Sequence, residues 1–280
     1  MLGILTEMAN VPSTLHGMDA LKAHKSTAGQ VLNLYKQLGE TPLERLERLR
    51  VQKPHYEHEV LSYAGRLDPM AEGVLLALVG SANKRRDAYL ELSKEYTLDI
   101  LFGFSTDTYD ILGRVMETGD PQEIERVAIQ KGLNEFRGHI DQEYPPYSSK
   151  TVEGKSLFAW ARNNALGALV MPSRSVTIYH IDIIEMYKVS ESMLLNYIED
   201  GVSRVTGDFR QEEVLRLWRQ HLKKEGDRFF PAVTVHIECT SGTYARSVAH
   251  GLGVELGCPA LALHILRTKV GEYSVEKSLK

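Results

Sequence analysis

The sequence predicts an α+β protein with one mixed sheet and helices packed on it. Three observations lead there. Strand-like and helical segments alternate irregularly, without the even strand-helix rhythm of a doubly wound sheet. No segment repeats at a fixed period. The chain has 280 residues, of which 43% are hydrophobic and 25% charged. Those are ordinary globular proportions with enough apolar material for a substantial core.

The elements follow in order. Residues 1–28 show no clear period and are expected to form a loosely attached N-terminal arm; residues 29–280 are read as one domain. Residues 31–35 read as a strand, Gly39 breaks it, and a charged helix runs from Pro42 to Arg50. Residues 62–73 hold two glycines, an Asp68-Pro69 step and charged side chains ahead of the apolar run 74–79. Asp68 with Pro69 suits a helix start as N-cap and first helical residue. A carboxylate on such a turn also suits a presented reactive group. Residues 74–79 form a buried strand or helix, and from Ser81 a helix carries the basic patch Lys84-Arg85-Arg86.

Residues 95–102 alternate as a strand and 105–110 form a polar loop. Residues 121–136 have helical spacing, whereas 139–147 are extended and end at Pro145-Pro146, which forbids helix. Residues 155–163 read as helix and 175–187 as a strong strand. Composition then shifts, and residues 190–226 look like a charged helical insertion between strands. Residues 232–239 are a strand, Gly242 opens a helix through Leu256, and 260–266 and 269–273 are two closing strands.

The totals restrict function. A formal net charge of −4 lacks the basic excess common in nucleic-acid binders. Phosphate contacts depend on local patches, so RNA is not excluded. Cys239 and Cys258 cannot make a disulfide framework and are not spaced as a metal pair. No stretch approaches the roughly 20 apolar residues of a membrane span, and Glu7 stands where a signal peptide needs an apolar core. A cytoplasmic protein without membrane attachment is expected.

Stock cofactor motifs are missing, with neither a dinucleotide glycine fingerprint nor a phosphate-loop signature. His55 and His58 are three residues apart, but no third metal ligand is apparent and Pro54 suggests a loop. Other segments hold more chemistry. Lys94-Glu95-Tyr96 enters a strand, and Thr106-Asp107-Thr108-Tyr109-Asp110 follows in a loop. Residues 239–246 link a strand to a helix whose first turns contain Arg246. Singly, Tyr96 reads as a core aromatic, the loop residues as turn formers and Arg246 as a surface residue.

In their order along the chain, these segments resemble the TruB family of tRNA pseudouridine synthases. The family pattern is Lys-Pro-x-Gly, Gly-His-x-Gly-x-Leu-Asp-Pro-x-Ala-x-Gly, Lys-x-Tyr, Thr-Asp-Thr-x-Asp, Pro-Pro-x-Tyr-Ser and Ser-x-Gly-Thr-Tyr-x-Arg. It meets Lys36 to Gly39, Ser62 to Gly73, Lys94 to Tyr96, Thr106 to Asp110, Pro145 to Ser148 and Thr240 to Arg246. The resemblance implies the pseudouridine synthase catalytic fold, a mixed, mainly antiparallel central sheet flanked by helices. It implies isomerisation of a T-loop uridine in tRNA, by a monomer needing neither metal nor organic cofactor.

Carried over residue by residue, the resemblance makes Asp68 the catalytic carboxylate, Arg246 its partner and Tyr96 the ring stacked on the base. Tyr63, Tyr244, Ile265, Lys36, Gly65 and Asp110 are expected to contact substrate. A stacked base cannot react, so the target uridine must flip out.

The chain departs from the pattern at several points. Tyr63 replaces His, which keeps a ring and loses an imidazole. Gln37 replaces Pro, the Pro-Pro-x-Tyr motif is one residue short, and Ser241 replaces Lys. The 190–226 insertion has no counterpart in compact members, and the small C-terminal RNA-binding domain of many members is expected to be absent. The competing readings are an inactive RNA-binding or RNA-folding module, and a synthase acting on another RNA.

Overall fold

Residue-level alternation sets the first strand. Within Gln30–Lys36 (β1) Leu32, Leu34 and Lys36 are buried, and the residues between them are more open. The sequence Thr41-Pro42-Leu43-Glu44 then starts the helix Pro42–Gln52 (α1). Thr41 Oγ1 accepts from the Glu44 amide at 3.2 Å, Glu44 Oε2 accepts from the Thr41 amide at 2.6 Å, and Pro42 occupies the first turn. This reciprocal box satisfies two amides that a helix start leaves without partners. The computed structural model describes residues 29–120, 124–223, 225–226 and 228–280, so the expected 1–28 arm lies outside the described residues.

Leu61–Ala64 (β2) leads through residues 65–70 into Ala71–Val79 (β3). No helix starts at Asp68. The turn closes with the Ala71 amide donating to the Asp68 carbonyl at 3.0 Å, and the chain goes directly into a strand. The helix-cap expectation is therefore overturned: flanking strands supply the hydrogen bonds that a helix would have supplied. Eight of the nine β3 residues are buried, Glu72 being the half-open one. Burial on both faces erases the period of two, which is why 74–79 read equally as strand or helix.

The expected helix from Ser81 is instead a 3-10 turn, Gly80–Arg85, followed by the short Arg86–Leu90 (α2). Lys94–Phe102 (β4) continues, with Phe104–Thr106 (β5) paired to Val115–Thr118 (β6). Arg126–Asn134 (α3) is shorter than the predicted 121–136, and Gly138–Glu143 (β7) takes the first part of the extended stretch. A small hairpin, Thr151–Val152 (β8) with Lys155–Ser156 (β9), precedes Leu157–Arg162 (α4).

The 18-residue strand Ser173–Ser190 (β10) ends where Ser190 Oγ caps Glu191–Ser203 (α5) by accepting from the Met193 amide. Gln211–His221 (α6) follows, then Phe229–Cys239 (β11). Ala245–Glu255 (α7) begins three residues after the expected Gly242. The two predicted closing strands are mostly one, Ala260–Val270 (β12), with a pairing irregularity between Arg267 and Lys269. Tyr273–Ser274 (β13) pairs back onto it.

The principal sheet runs β1-β3-β12-β4-β11-β10-β7, with β2 on β3 and β13 on β12. Every pairing is antiparallel except β12 with β3, where Ile265, Leu266 and Arg267 face Ala71, Glu72 and Gly73. Helices α3 and α7 cover one face through Ile129, Leu133, Val248 and Leu252. Helices α5 and α6 pack with Leu101, Leu261 and Leu263. The 190–226 segment is thus a packing layer as well as a charged surface. Its Trp218 is fully buried and donates from Nε1 to the Ile111 carbonyl at 3.1 Å. Among the described residues no helix is long and apolar enough to cross a membrane.

Candidate active site

The parallel β3–β12 junction sets the position of the site. Gly73 has φ +104°, and a Cβ on it would lie 2.3 Å from the Arg267 carbonyl oxygen. Only glycine lets the two backbones approach this closely. The side chain of Arg267, on the mid-β12 position opposite Gly73, then donates to the carbonyls of Val74 (2.8 Å), Arg66 (3.1 Å) and Gly65 (3.3 Å). One buried guanidinium therefore fixes both ends of the turn that carries Asp68.

Asp68 opens onto a cleft of about 740 Å³. Its Oδ2 lies 2.7 Å from Nε of Arg246 in the first turn of α7. Arg246 is almost wholly buried, and its remaining donors are held by backbone: Nη1 donates to the Thr108 carbonyl and Nη2 to the Tyr147 carbonyl at 3.4 Å. Asp110 Oδ2 stands 3.7 Å from the same Nε. Asp110 Oδ1 accepts from Thr108 Oγ1 at 2.6 Å and from the Leu112 amide at 3.0 Å. Burial pushes the Asp110 carboxyl up to about 6, against the opposing pull of Arg246. The polar loop thus buttresses Arg246 from behind.

The walls are aromatic and apolar. Tyr96 pairs with Ile237 and Arg267 across neighbouring strands, and Ile265 lies two pairs further along, beside Leu98. Both line the cleft, as do Tyr63, Gly65 and Tyr244. Burial raises the Tyr96 phenol to about 12, so it is neutral at physiological pH. The Tyr244 amide donates to Gln142 Oε1 at 2.7 Å, and its ring meets Tyr144 edge-on at 5.8 Å.

Of the predicted substrate contacts, Lys36 alone does not line the cleft. Its Nζ donates to the carbonyls of Gln37 (3.0 Å) and Glu40 (2.5 Å), bracing the turn before α1. Burial lowers this ammonium to about 7 despite the pull of Glu40 and Asp68.

Several residues at the site escaped sequence reasoning. Arg267 is an arginine inside the otherwise largely apolar β12, and that placement was the available signal. Lys94 stands in the matched Lys94-Glu95-Tyr96 segment but was given no role there; it is buried and donates to the Leu90 and Leu92 carbonyls at 2.6 and 2.5 Å. The exposed Arg66, Arg86 and Arg174 stand around the cleft, and no local pattern marked them as a group. Arg86 belongs to the basic patch Lys84-Arg85-Arg86. The left-handed backbone at Gly242 (φ +87°) is what requires glycine there, with the Arg174 guanidinium beside it. Arg210 reaches the cleft from the loop before α6. Among the described residues no group of His, Cys, Asp and Glu side chains could hold a metal ion.

Comparison with known proteins agrees with this architecture. Residues 53–202 match the family described as TruB family pseudouridylate synthase (N terminal domain). The tRNA pseudouridine synthase B of Gloeobacter violaceus is 30% identical over 248 residues, covering 89% of this chain and 70% of that protein. That of Caldanaerobacter subterraneus subsp. tengcongensis is 29% identical over 248 residues, covering 89% and 71%.

Among solved structures, a chain of a Cbf5-Nop10-Gar1 complex aligns with TM-score 0.53 and 21% identity, over 87% of this chain and 49% of that one. A chain of an H/ACA RNP bound to a substrate RNA containing 2'-deoxyuridine aligns with TM-score 0.52 and 20% identity, over 89% and 50%. This chain spans about half the length of those two, and at that identity the likeness is one of fold.

Proposed function

The chain belongs to the TruB pseudouridylate synthase family, and from that premise we propose that it isomerises a uridine of tRNA to pseudouridine. The observation that carries the reading is the Asp68–Arg246 pair, 2.7 Å apart, in a cleft walled by Tyr96, Tyr63, Tyr244 and Ile265. The reaction breaks the bond from uracil N1 to ribose C1′, turns the base and joins C5 to C1′. C5 loses its proton to a base or solvent, and N1 ends protonated, so atoms balance without an added reactant.

Asp68 is the group we assign to C1′, as nucleophile or as a base toward a glycal. Arg246 donates to Asp68 from Nε and holds the carboxylate in one orientation. Tyr96 stacks on the flipped uracil, and its neutral phenol is available to handle a proton. Tyr63, Tyr244 and Ile265 complete the base pocket, with Gly65 providing close approach of backbone. Asp110 acts by buttressing Arg246.

The exposed Arg66, Arg86 and Arg174 supply phosphate contacts that the overall charge of −4 does not suggest. Base pocket and reactive pair lie in one chain, so a monomer acting on the T-arm in the cytoplasm is the working unit we assign.

The test is conversion of a T-arm hairpin by purified protein, mapped with a pseudouridine-specific chemical label. One modified uridine is expected, and Asp68→Asn should abolish product while leaving hairpin binding largely intact. Wild-type protein that binds the hairpin and yields no product would leave an RNA-binding module instead.

A further inference from the structure

Among the described residues, the 190–226 segment lines the cleft through Asp208, Phe209 and Arg210, in the turn ahead of α6. Arg210 there adopts the left-handed conformation (φ +62°), which an arginine enters only at a cost and which turns its side chain toward Asp107. Asp107 Oδ2 lies 2.7 Å from Arg210 Nη1 and Oδ1 lies 3.3 Å from Nη2, a two-pronged pair. The same carboxylate accepts from Arg114 Nε at 3.0 Å and from the Tyr147 hydroxyl at 3.2 Å. Burial raises the Asp107 carboxyl, but Arg210 and then Arg114 outweigh it and hold it below its ordinary value. The Arg210 guanidinium also lies over the Tyr147 ring, 4.4 Å from its centre.

Two neighbours extend this contact. Asp208 receives Arg162 of α4, by its carboxylate at 2.8 Å and its carbonyl at 2.6 Å. The wall of the cleft from Tyr147 to Arg162 is therefore gripped at both ends by Asp208 and Arg210. At its near end the Tyr147 carbonyl accepts from Arg246, the partner of Asp68.

We propose that Arg210 is a positioning residue for the isomerisation: it clasps the Tyr147–Arg162 wall, and through the Tyr147 carbonyl sets the orientation of Arg246 against Asp68. This rests on the isomerase reading above. It gives the 190–226 segment a task other than RNA docking. The Asp208 carboxylate beside the cleft would repel phosphate, and Arg210 is engaged with Asp107.

The experiment compares wild type, Arg210→Ala and Arg210→Lys by single-turnover conversion, hairpin affinity and amide hydrogen exchange over residues 145–162. Arg210→Ala should lower the rate at saturating RNA between about tenfold and a hundredfold, the range that small misplacements cause. Affinity should stay within about twofold, the difference marking positioning as opposed to phosphate binding. Exchange across 145–162 should accelerate. Added guanidinium should restore part of the rate, whereas Arg210→Lys should recover little, because ammonium neither forks nor stacks.

Lost affinity with an unchanged saturating rate would overturn the proposal and make Arg210 a phosphate contact. Unchanged exchange over 145–162 would overturn it too. If Arg210→Ala fails to fold, Tyr147→Phe, which removes one hydroxyl from the cluster, gives the same readouts. Absence of product from wild type would refute the isomerase reading alone, since the exchange comparison still decides whether the clasp exists.

Discussion

Replacing Arg246 with alanine separates what this side chain does for stability from what it does for the reaction. Its side chain is 3% exposed and faces two carboxylates with different access to water: Asp68 at 30% exposure and Asp110 at 5%. Truncation leaves Asp68 partly solvated and Asp110 buried without its counter-charge. The Thr108 and Tyr147 carbonyls also lose a donor. Breaking a buried pair from one side costs about 3–5 kcal/mol, a large share of the roughly 5–15 kcal/mol that holds a domain together. Arg246→Ala should therefore fold, with urea denaturation showing a loss of that order at pH 7.5.

The deficit should shrink as pH falls. Asp110 already has its pKa raised to about 6, and loss of Arg246 raises it further, so acid neutralises the stranded charge. Arg246→Ala combined with Asp110→Asn should recover about 1–3 kcal/mol, the cost of an uncompensated buried group, yet make no pseudouridine because Asp68 still lacks its partner. A single variant within about 1 kcal/mol of wild type, well short of the buried-pair cost, would refute the buried-charge reasoning. So would a double variant no more stable than the single one.

Three further expectations concern other parts of the fold. Tyr96→Ala should weaken hairpin binding by about 5- to 150-fold, the 1–3 kcal/mol of a stacked base, while Tyr96→Phe keeps the affinity; equal affinities for both would remove Tyr96 from the base. His264 lies 3.0 Å from Glu72 and 3.7 Å from Asp99, and these carboxylates raise it to about 9 although burial opposes them. Its folded pKa exceeds the unfolded value, so its stabilisation, about 3 kcal/mol at most, is complete below roughly pH 6.5 and lost as pH rises through 9. Denaturation at pH 6 and 10 should show a larger fall for wild type than for His264→Asn, and parallel falls would contradict the assignment. Gly73→Ala places a Cβ 2.3 Å from the Arg267 carbonyl oxygen at φ +104°, so it should lose at least about 2 kcal/mol and reduce conversion by displacing the Asp68 turn. A stable, fully active variant would show that the β3–β12 contact is slack.

Much of the site was legible because its residues lie in short segments that follow one order along the chain. Singly, Asp68, Tyr96 and Arg246 read as a helix cap, a core aromatic and a surface residue; the order of their segments, matched to the TruB pattern, is what named them. Arg267 could not be named, because an arginine in a strand ordinarily marks an exposed face, and here it is buried with three carbonyls to satisfy it. Lys36 read as a substrate contact because it stands in a matching motif, whereas its ammonium is spent on the carbonyls before α1. Of the basic run at 84–86, only Arg86, the first residue of α2 after the 3-10 turn, lines the cleft.

By itself the sequence determined the α+β class from its irregular alternation of elements, and the family through the ordered motifs that resemble the TruB pattern; that resemblance, not spacing alone, named Asp68, Tyr96 and Arg246 as candidate site groups. It did not determine whether 74–79 was strand or helix, because burial on both faces leaves no period to read. It did not show that the Asp68 turn leads into a strand, that Arg267 holds that turn, or that Arg210 reaches Tyr147 from a distant loop. Those were decided by tertiary structure, where hydrogen bonds and ion pairs between segments far apart in sequence outweigh local preference.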